Sequence, residues 1–288
     1  METLHVFFEQ TRVGSLSIDK RRRFSFIYAR EWLDAPETFQ ISISLPLQPG
    51  VFQHDTVKSF FSNLLPESAV RTLISKQLGI SEKNDFMLLK RIGGECAGAI
   101  SILPETEKPE SPGQYKYRSL SDRQFSDLIM QIPQRPLLAG QDGIRISLAG
   151  AQDKLALFHK ESNFYIPMNG APSNVILKPA MAHFQASIEN ECFCMMLAGA
   201  VGLKTPPVSI VQTQSQKVLL IKRYDRNFDN DVIRRIHQED LCQAMGLSHE
   251  LKYEADGGPG LKACFDLTTH NIIHNKILIS VYQTTQAL

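Results

Sequence analysis

Gly143-Ile144-Arg145-Ile146-Ser147-Leu148-Ala149-Gly150-Ala151-Gln152-Asp153-Lys154, then Val175-Ile176-Leu177-Lys178-Pro179, then Glu189-Asn190-Glu191 is the part of this chain whose reading decides the fold. An apolar stretch leads into a run of small residues. A second apolar stretch ends on a lysine, and carboxylates open a third. Small side chains at Ala149, Gly150 and Ala151 let backbone N–H groups come close to an anion, and successive N–H groups form a nest for it. Ser147 adds a hydroxyl and Lys154 a charge. The loop is neither GxGxxG nor a Walker pattern, so by itself it reads rather as a tight hairpin turn.

Lys178 sits inside Val-Ile-Leu-Lys-Pro, where a partly buried ammonium needs a partner. Either Glu189 or Glu191 can supply it, and Glu191 is the expected one. Such a lysine, held by a helix carboxylate, is suited to the α- and β-phosphates of a nucleotide. The competing reading is a surface lysine on an edge strand.

Outward from this region, the pattern is of short elements. Strands are expected at Leu4–Phe8, Val13–Ser17, Phe24–Tyr28, Ser42–Leu47 and Ala97–Leu103, and helices at Val57–Leu65, Ala69–Leu78 and Glu82–Leu89. Ser121 is placed to cap a helix running to Met130. Further strands are expected at Ile144–Leu148, Leu155–His159, Asn163–Pro167, Val175–Lys178, Val208–Gln212 and Val218–Tyr224. A helix should span Ile188–Val201, with Gly202 just beyond its end. Gln238–Met245 should be a short helix or connector ending at Gly246. The fold class is therefore α+β. The expected domains are an N-terminal subdomain at 1–105, a linker at 106–120, a lobe with its connector at 121–246, and a partial second lobe with a divergent tail at 247–288.

Composition narrows the function classes. Of 288 residues, 43% are hydrophobic and 21% charged, and the net charge of +1 gives no global attraction to nucleic acid or membrane. Lys20-Arg21-Arg22-Arg23 reads as a solvated turn between strands. Five cysteines without a CxxC pair indicate neither a disulfide framework nor a zinc site, and suggest reduced thiols in a cytoplasm. Met1–Gln10 lacks the features of a signal peptide, and no membrane-spanning run is evident. His270 and His274 are four apart, but Asn271 stands where a zincin has its glutamate, so no metal site is expected. The alternating charges of Arg223-Tyr224-Asp225-Arg226, just after a strand, read as a solvated ion-pair network. His237-Gln238-Glu239-Asp240 would be a hinge whose backbone meets an adenine edge, for which no particular side chains are needed.

Together these segments resemble the HipA family of bacterial toxin–antitoxin serine/threonine kinases. The resemblance covers about 265 residues. It is carried by Glu31-Trp32-Leu33, Ser42-Ile43-Ser44-Leu45-Pro46-Leu47, Phe60-Phe61-Ser62-Asn63-Leu64-Leu65-Pro66-Glu67, Ile92-Gly93 and Gly98-Ala99. It continues in Ile146 through Lys154, Arg223-Tyr224-Asp225-Arg226, His237 through Ala244, Lys252-Tyr253-Glu254 and Gly257-Gly258-Pro259-Gly260. The resemblance implies a protein-kinase-like fold with an extra N-terminal subdomain. It implies ATP bound by Gly150, Ala151, Gln152, Lys154, Lys178 and Glu191, with a hinge at Glu239, Asp240 and Leu241. Ser147 matches a loop serine that the family autophosphorylates, which ejects the loop and switches the kinase off. Magnesium is the family's metal. Aminoacyl-tRNA synthetases are its substrates, and a DNA-binding HipB-type antitoxin is its partner, so DNA is met only through the antitoxin.

The chain departs from the family pattern after Gly260, where 28 residues follow. The family's Asp-Gly-His-x-x-Asn catalytic loop has no match. Asp266 and Asn271 have Asp-x-x-x-x-Asn spacing and are the candidates for its catalytic pair. No acidic residue after Asp266 offers itself as the second magnesium ligand. Two outcomes are therefore expected from ancestry: a kinase toxin of this type, or a remnant without turnover that binds nucleotide, antitoxin or both. A third, a DNA-associated structural subunit, rests on the antitoxin complex alone.

Overall fold

The structure is a computed structural model and describes residues 1–36, 38–229, 232–271 and 278–279. The chain forms two compact units that interleave along the sequence. The first comprises Met1–Leu65, Asp85–Pro109 and Ile236–Leu288, and the second comprises Pro66–Asn84 and Glu110–Arg235. In chain order the elements are β1 (Glu2–Phe8), β2 (Thr11–Ile18), β3 (Phe24–Tyr28), α1 (Arg30–Leu33), β4 (Val51–Phe52), α2 (His54–Ser62), α3 (Ser68–Leu78), α4 (Asp85–Ile92) and β5 (Ile100–Pro104). Then come β6 (Lys116–Ser119), α5 (Asp122–Gln131), β7 (Leu155–Lys160), β8 (Asn163–Met168), β9 (Val175–Pro179), α6 (Ser187–Ala200), β10 (Val208–Gln212) and β11 (Lys217–Lys222). The rest are β12 (Arg226–Asp229), β13 (Val232–Arg235), β14 (Gln238–Glu239), α7 (Leu241–Met245), α8 (Leu261–Asn271) and β15 (Leu278–Ile279).

The first unit is built on an antiparallel sheet in the order β4-β3-β2-β1-β5. Alternating apolar residues put Leu4 and Val6 of β1, Leu16 of β2 and Phe26 of β3 on its buried face. Phe60 and Phe61 of α2 and Leu88 and Leu89 of α4 are buried with them, and the Phe26 and Phe61 rings lie 5.6 Å apart. Asp19 organises the basic turn after β2, accepting hydrogen bonds from the amides of Arg21 and Arg23 and from the Arg23 guanidinium. Lys20 through Arg23 are exposed there, as expected of a solvated turn.

Residues 236–247 are docked on this unit by polar contacts. His237 Nε2 donates to the Ile41 carbonyl at 2.8 Å, and its ring stacks on Phe39. Gln243 Nε2 donates to the Phe60 carbonyl at 3.0 Å, and Asn63 Nδ2 donates to the Leu247 carbonyl at 2.8 Å. This docking explains why Ser42–Leu47 is no strand, contrary to the alternation-based expectation. Only an isolated Ser42–Leu45 bridge forms, while the Ser42 and Ser44 hydroxyls turn to the Gln243 carbonyl.

The second unit carries an antiparallel sheet in the order β10-β11-β9-β7-β8-β6. Ile188 and Cys192 of α6 pack on Leu219 of β11, flanked by Val208 and Ile221. Ser121 caps α5 as expected: its hydroxyl accepts from the Gln124 amide at 3.3 Å while Gln124 Oε1 accepts from the Ser121 amide at 2.9 Å.

Four expectations about elements change. Ile144–Leu148 is not a strand, although Ile144, Ile146 and Leu148 are all buried. Its alternation reports burial of the side chains without a backbone ladder. The segment read as linker contains β6, which pairs with β8 from Lys116↔Met168 to Ser119↔Tyr165. The helix expected from Glu82 starts at Asp85 and runs to Ile92. The β12–β13 hairpin was not expected, because its Arg-Asn-Phe-Asp strand lacks an apolar alternation.

Candidate functional site

Lys178 lies on β9, opposite Leu219 of β11, and next to Leu177, which faces Leu155 of β7. Fully buried leucines on both neighbouring strands hold the backbone, so the lysine starts from a fixed position. α6 then brings up two carboxylates, Glu189 in its first turn and Glu191 just beyond it. Lys178 Nζ stands 2.6 Å from Glu191 Oε1, with side chains only 13% and 24% exposed. The other candidate, Glu189, pairs instead with Lys217 at 2.8 Å, where both side chains are about half exposed. The structure thus selects the expected carboxylate and gives the shielded lysine its partner. An ammonium has three protons, so one carboxylate contact leaves capacity for anionic oxygens.

The loop at 147–154 belongs to the same unit. Ser147 is fully buried. Gly150 has φ +102°, a left-handed conformation that side chains disfavour, and a Cβ there would lie 3.0 Å from Lys154 Nζ. Lys154 is buried and donates to the Ala149 carbonyl at 3.1 Å, closing the loop upon itself. Ala151 is exposed, and its N–H has no hydrogen-bond partner among the described residues. Burial pushes the Asp153 carboxyl up, against the opposing pull of Lys154.

Glu239, Asp240 and Leu241 lie in the first unit, on β14 and at the start of α7. Their side chains serve the fold. Asp240 Oδ1 accepts from the Gln243 amide at 2.7 Å and Gln243 Oε1 accepts from the Asp240 amide at 2.9 Å, a capping box for α7. Gly246 closes the helix in the left-handed conformation. Glu239 is buried; its Oε1 accepts from the Ile43 amide at 3.0 Å, and its Oε2 has no hydrogen-bond partner among the described residues. Burial pushes its carboxyl from 4.5 up to about 7, with Asp240 adding to the effect. His237 is buried too, and burial lowers its imidazole from 6.5 to about 4.

These two groups pull stability in opposite directions with pH. A raised carboxyl favours the folded state when protonated, so Glu239 costs stability as pH rises from 4.5 to about 7. A lowered imidazole favours the folded state when neutral, so His237 costs stability as pH falls from 6.5 to about 4. Removing the first should leave the second visible. Glu239→Gln is expected to shift the melting temperature upward more at pH 8 than at pH 4.5, a difference worth up to about 3 kcal/mol. Scanning calorimetry at the two pH values checks this, and a pH-independent shift would contradict it.

Asp266 and Asn271 lie on α8, not in a loop. The Asp266 carboxylate pairs with Lys262 one turn earlier at 2.6 Å, both exposed, and the Asn271 side chain lies outside the described residues. So do the side chain of His270 and all of His274. Among the described residues no group of three or more His, Cys, Asp or Glu side chains could hold a metal ion.

Arg223-Tyr224-Asp225-Arg226 overturns the expectation of a solvated network. Arg223, Asp225 and Arg226 are all buried. Arg223 Nε and Nη2 grip the two Asp225 oxygens at 2.9 and 2.6 Å, its Nη1 donates to the Ser173 hydroxyl at 2.9 Å, and Arg226 Nη1 reaches Asp225 Oδ2 at 2.9 Å. Alternating charge after a strand does not distinguish a wet turn from a buried knot. Asn174, which the sequence reading passed over, ties β7 from the side: its amide bonds both the N–H and the carbonyl of His159. A lone Asn between apolar strands gave no signal.

The sequence matches the HipA N-terminal domain over residues 4–103 and the HipA-like C-terminal domain over residues 146–283. It is 40% identical over 271 residues to the putative kinase Y4mE of Sinorhizobium fredii, covering 93% of this chain and 64% of that protein. To the serine/threonine-protein kinase toxin HipA of Shewanella oneidensis it is 31% identical over 263 residues, covering 90% of this chain and 58% of that one. Among solved structures it superposes on the Shewanella oneidensis HipA–HipB–operator DNA complex with a TM-score of 0.72 and 28% identity, over 93% of this chain and 61% of the other. The chain thus spans roughly three-fifths of the length of the relatives it matches. Both family domains in order, the curated toxin and the shared fold agree that the chain belongs to the HipA family.

Proposed function

We propose that the chain is a HipA-type serine/threonine protein kinase toxin that binds ATP. The observation that carries this reading is the shielded Lys178–Glu191 pair at 2.6 Å, on the strand and helix that follow the 147–154 loop. In this reading Lys178 meets the α- and β-phosphates and Glu191 holds it. The nest of Gly150, Ala151 and Gln152, with Lys154, cradles the phosphates. ATP fits these groups, because a half-satisfied ammonium and an unpaired amide both want anionic oxygen. Magnesium would supply charge neutralisation during phosphoryl transfer. No described cluster of carboxylates fits it, so it is assigned to no residue.

Family membership extends the proposal to a cytoplasmic toxin that phosphorylates aminoacyl-tRNA synthetases and is held by a HipB-type antitoxin, through which it meets operator DNA. The solved relative in complex with HipB and operator DNA supports that partner. No helix among the described residues is long and apolar enough to cross a membrane.

A second reading, nucleotide binding without turnover, is favoured by Asp266: its carboxylate is engaged by Lys262 on an exposed helical face. Incubation with labelled ATP and magnesium, followed by mass spectrometry of the Ser147 peptide, separates the two. The kinase reading expects phosphate on Ser147, whereas the second reading expects none unless a separate kinase is added. Label that disappears in Asp266→Ala would overturn the second reading and make Asp266 catalytic.

A further inference from the structure

The 147–154 loop does not stand alone in its unit. Pro66 and Gly150 form a parallel bridge, and the Glu67 amide donates to the Gly150 carbonyl at 3.3 Å. Pro66–Asn84 is distant in sequence yet folds with the β6–β13 unit. α3, which begins just after Glu67, is well anchored at its far side. Arg71 Nε and Nη2 donate to the Glu82 carbonyl at 2.9 and 2.6 Å, and Gln77 Nε2 donates to the Gln134 carbonyl at 2.7 Å. The start of α3 is strained, with Ser68 at φ +49°. Such a cost persists only where the surroundings fix the backbone.

A trans peptide unit is planar, so its carbonyl and N–H point to opposite sides. The carbonyl of Gly150 is turned toward Glu67. The amide of the same peptide unit, that of Ala151, is therefore turned away from α3 and is left without a partner among the described residues.

We propose that Pro66–Asn84 is a positioning element for the phosphate loop: the Glu67 amide holds the Gly150 carbonyl and thereby aims the Ala151 N–H at a bound phosphate. This rests on the nucleotide-binding reading for the ligand, but the positioning itself does not. Free rotation of the 150–151 peptide would let the amide point elsewhere, and the anchor removes that freedom before the ligand arrives.

The test is amide hydrogen exchange on the full-length chain carrying Glu67→Pro, which deletes the donor, alongside calorimetric titration with ATP. Exchange at residues 149–152 is expected to quicken by at least about fivefold, the worth of one ordinary backbone hydrogen bond. Amides in β7 and β9 should be unchanged, and ATP affinity should fall by a similar factor. A folded Glu67→Pro chain with unchanged exchange at 149–152 would overturn the proposal. Should that variant not fold, Arg71→Met decides, because it removes the two guanidinium contacts from α3 to the Glu82 carbonyl without touching the bridge. Faster exchange at 66–70 together with 149–152 supports the anchor, and loosening of 66–70 alone refutes it. Wild-type protein that fails to bind ATP would remove the nucleotide reading, while the exchange results still decide the anchor.

Discussion

Asp225→Ala is expected to destabilise the protein by about 3–5 kcal/mol, as removing one partner of a buried ion pair does. Asp225 is the carboxylate shared by two guanidinium groups. The Arg223–Asp225 side chains are 1% and 5% exposed, and that of Arg226 is 0% exposed. Truncation leaves both arginines in place with their shared counter-charge gone. The arginines cannot neutralise themselves by losing a proton, because their affinity for it is too high. A loss of this size is a large part of the 5–15 kcal/mol that holds a typical domain together. Urea denaturation of wild type and variant measures it. Asp225→Asn should fall between them, since it keeps the shape and some acceptor capacity but not the charge. A change below about 1 kcal/mol for Asp225→Ala would mean that the knot is solvated after all, as its sequence suggested.

Why that sequence misled is a matter of what alternation encodes. Apolar periodicity located β1, β2, β3, β7, β8, β9 and β10 to within a residue or two, because their side chains sort by face. Ser42–Leu47 shows the same alternation, yet its serine hydroxyls serve the Gln243 carbonyl and no ladder forms. Ile144–Leu148 buries its apolar side chains with no strand behind them. α6 shows the reverse case. It is apolar on nearly every side, but Phe193, Met196 and Leu197 remain 62%, 62% and 50% exposed. Its register was still legible, because Glu191 falls where the helix meets Lys178.

The site was legible in part for the same reason. A lysine closing an apolar strand needs a counter-ion, and only two glutamates were in range. What could not be read was the support at a distance. Neither the contact from Glu67 to Gly150 nor the docking of Gln243 on Phe60 leaves a local pattern, since each joins residues more than 80 positions apart. Both depend on where backbone carbonyls point, and one residue's identity says little about that.

In the proposed function Lys178, held by Glu191, is the anchor of a nucleotide site. Calorimetric titration of ATP into the full chain and into Lys178→Met tests it most directly. Methionine keeps the length and apolar stem of the lysine but removes its charge. The wild type is predicted to bind. Lys178→Met should lose roughly 10- to 150-fold in affinity, the counterpart of about 1.5–3 kcal/mol for a hydrogen bond to a charged group. Wild-type binding with an affinity that Lys178→Met leaves within twofold would contradict the account.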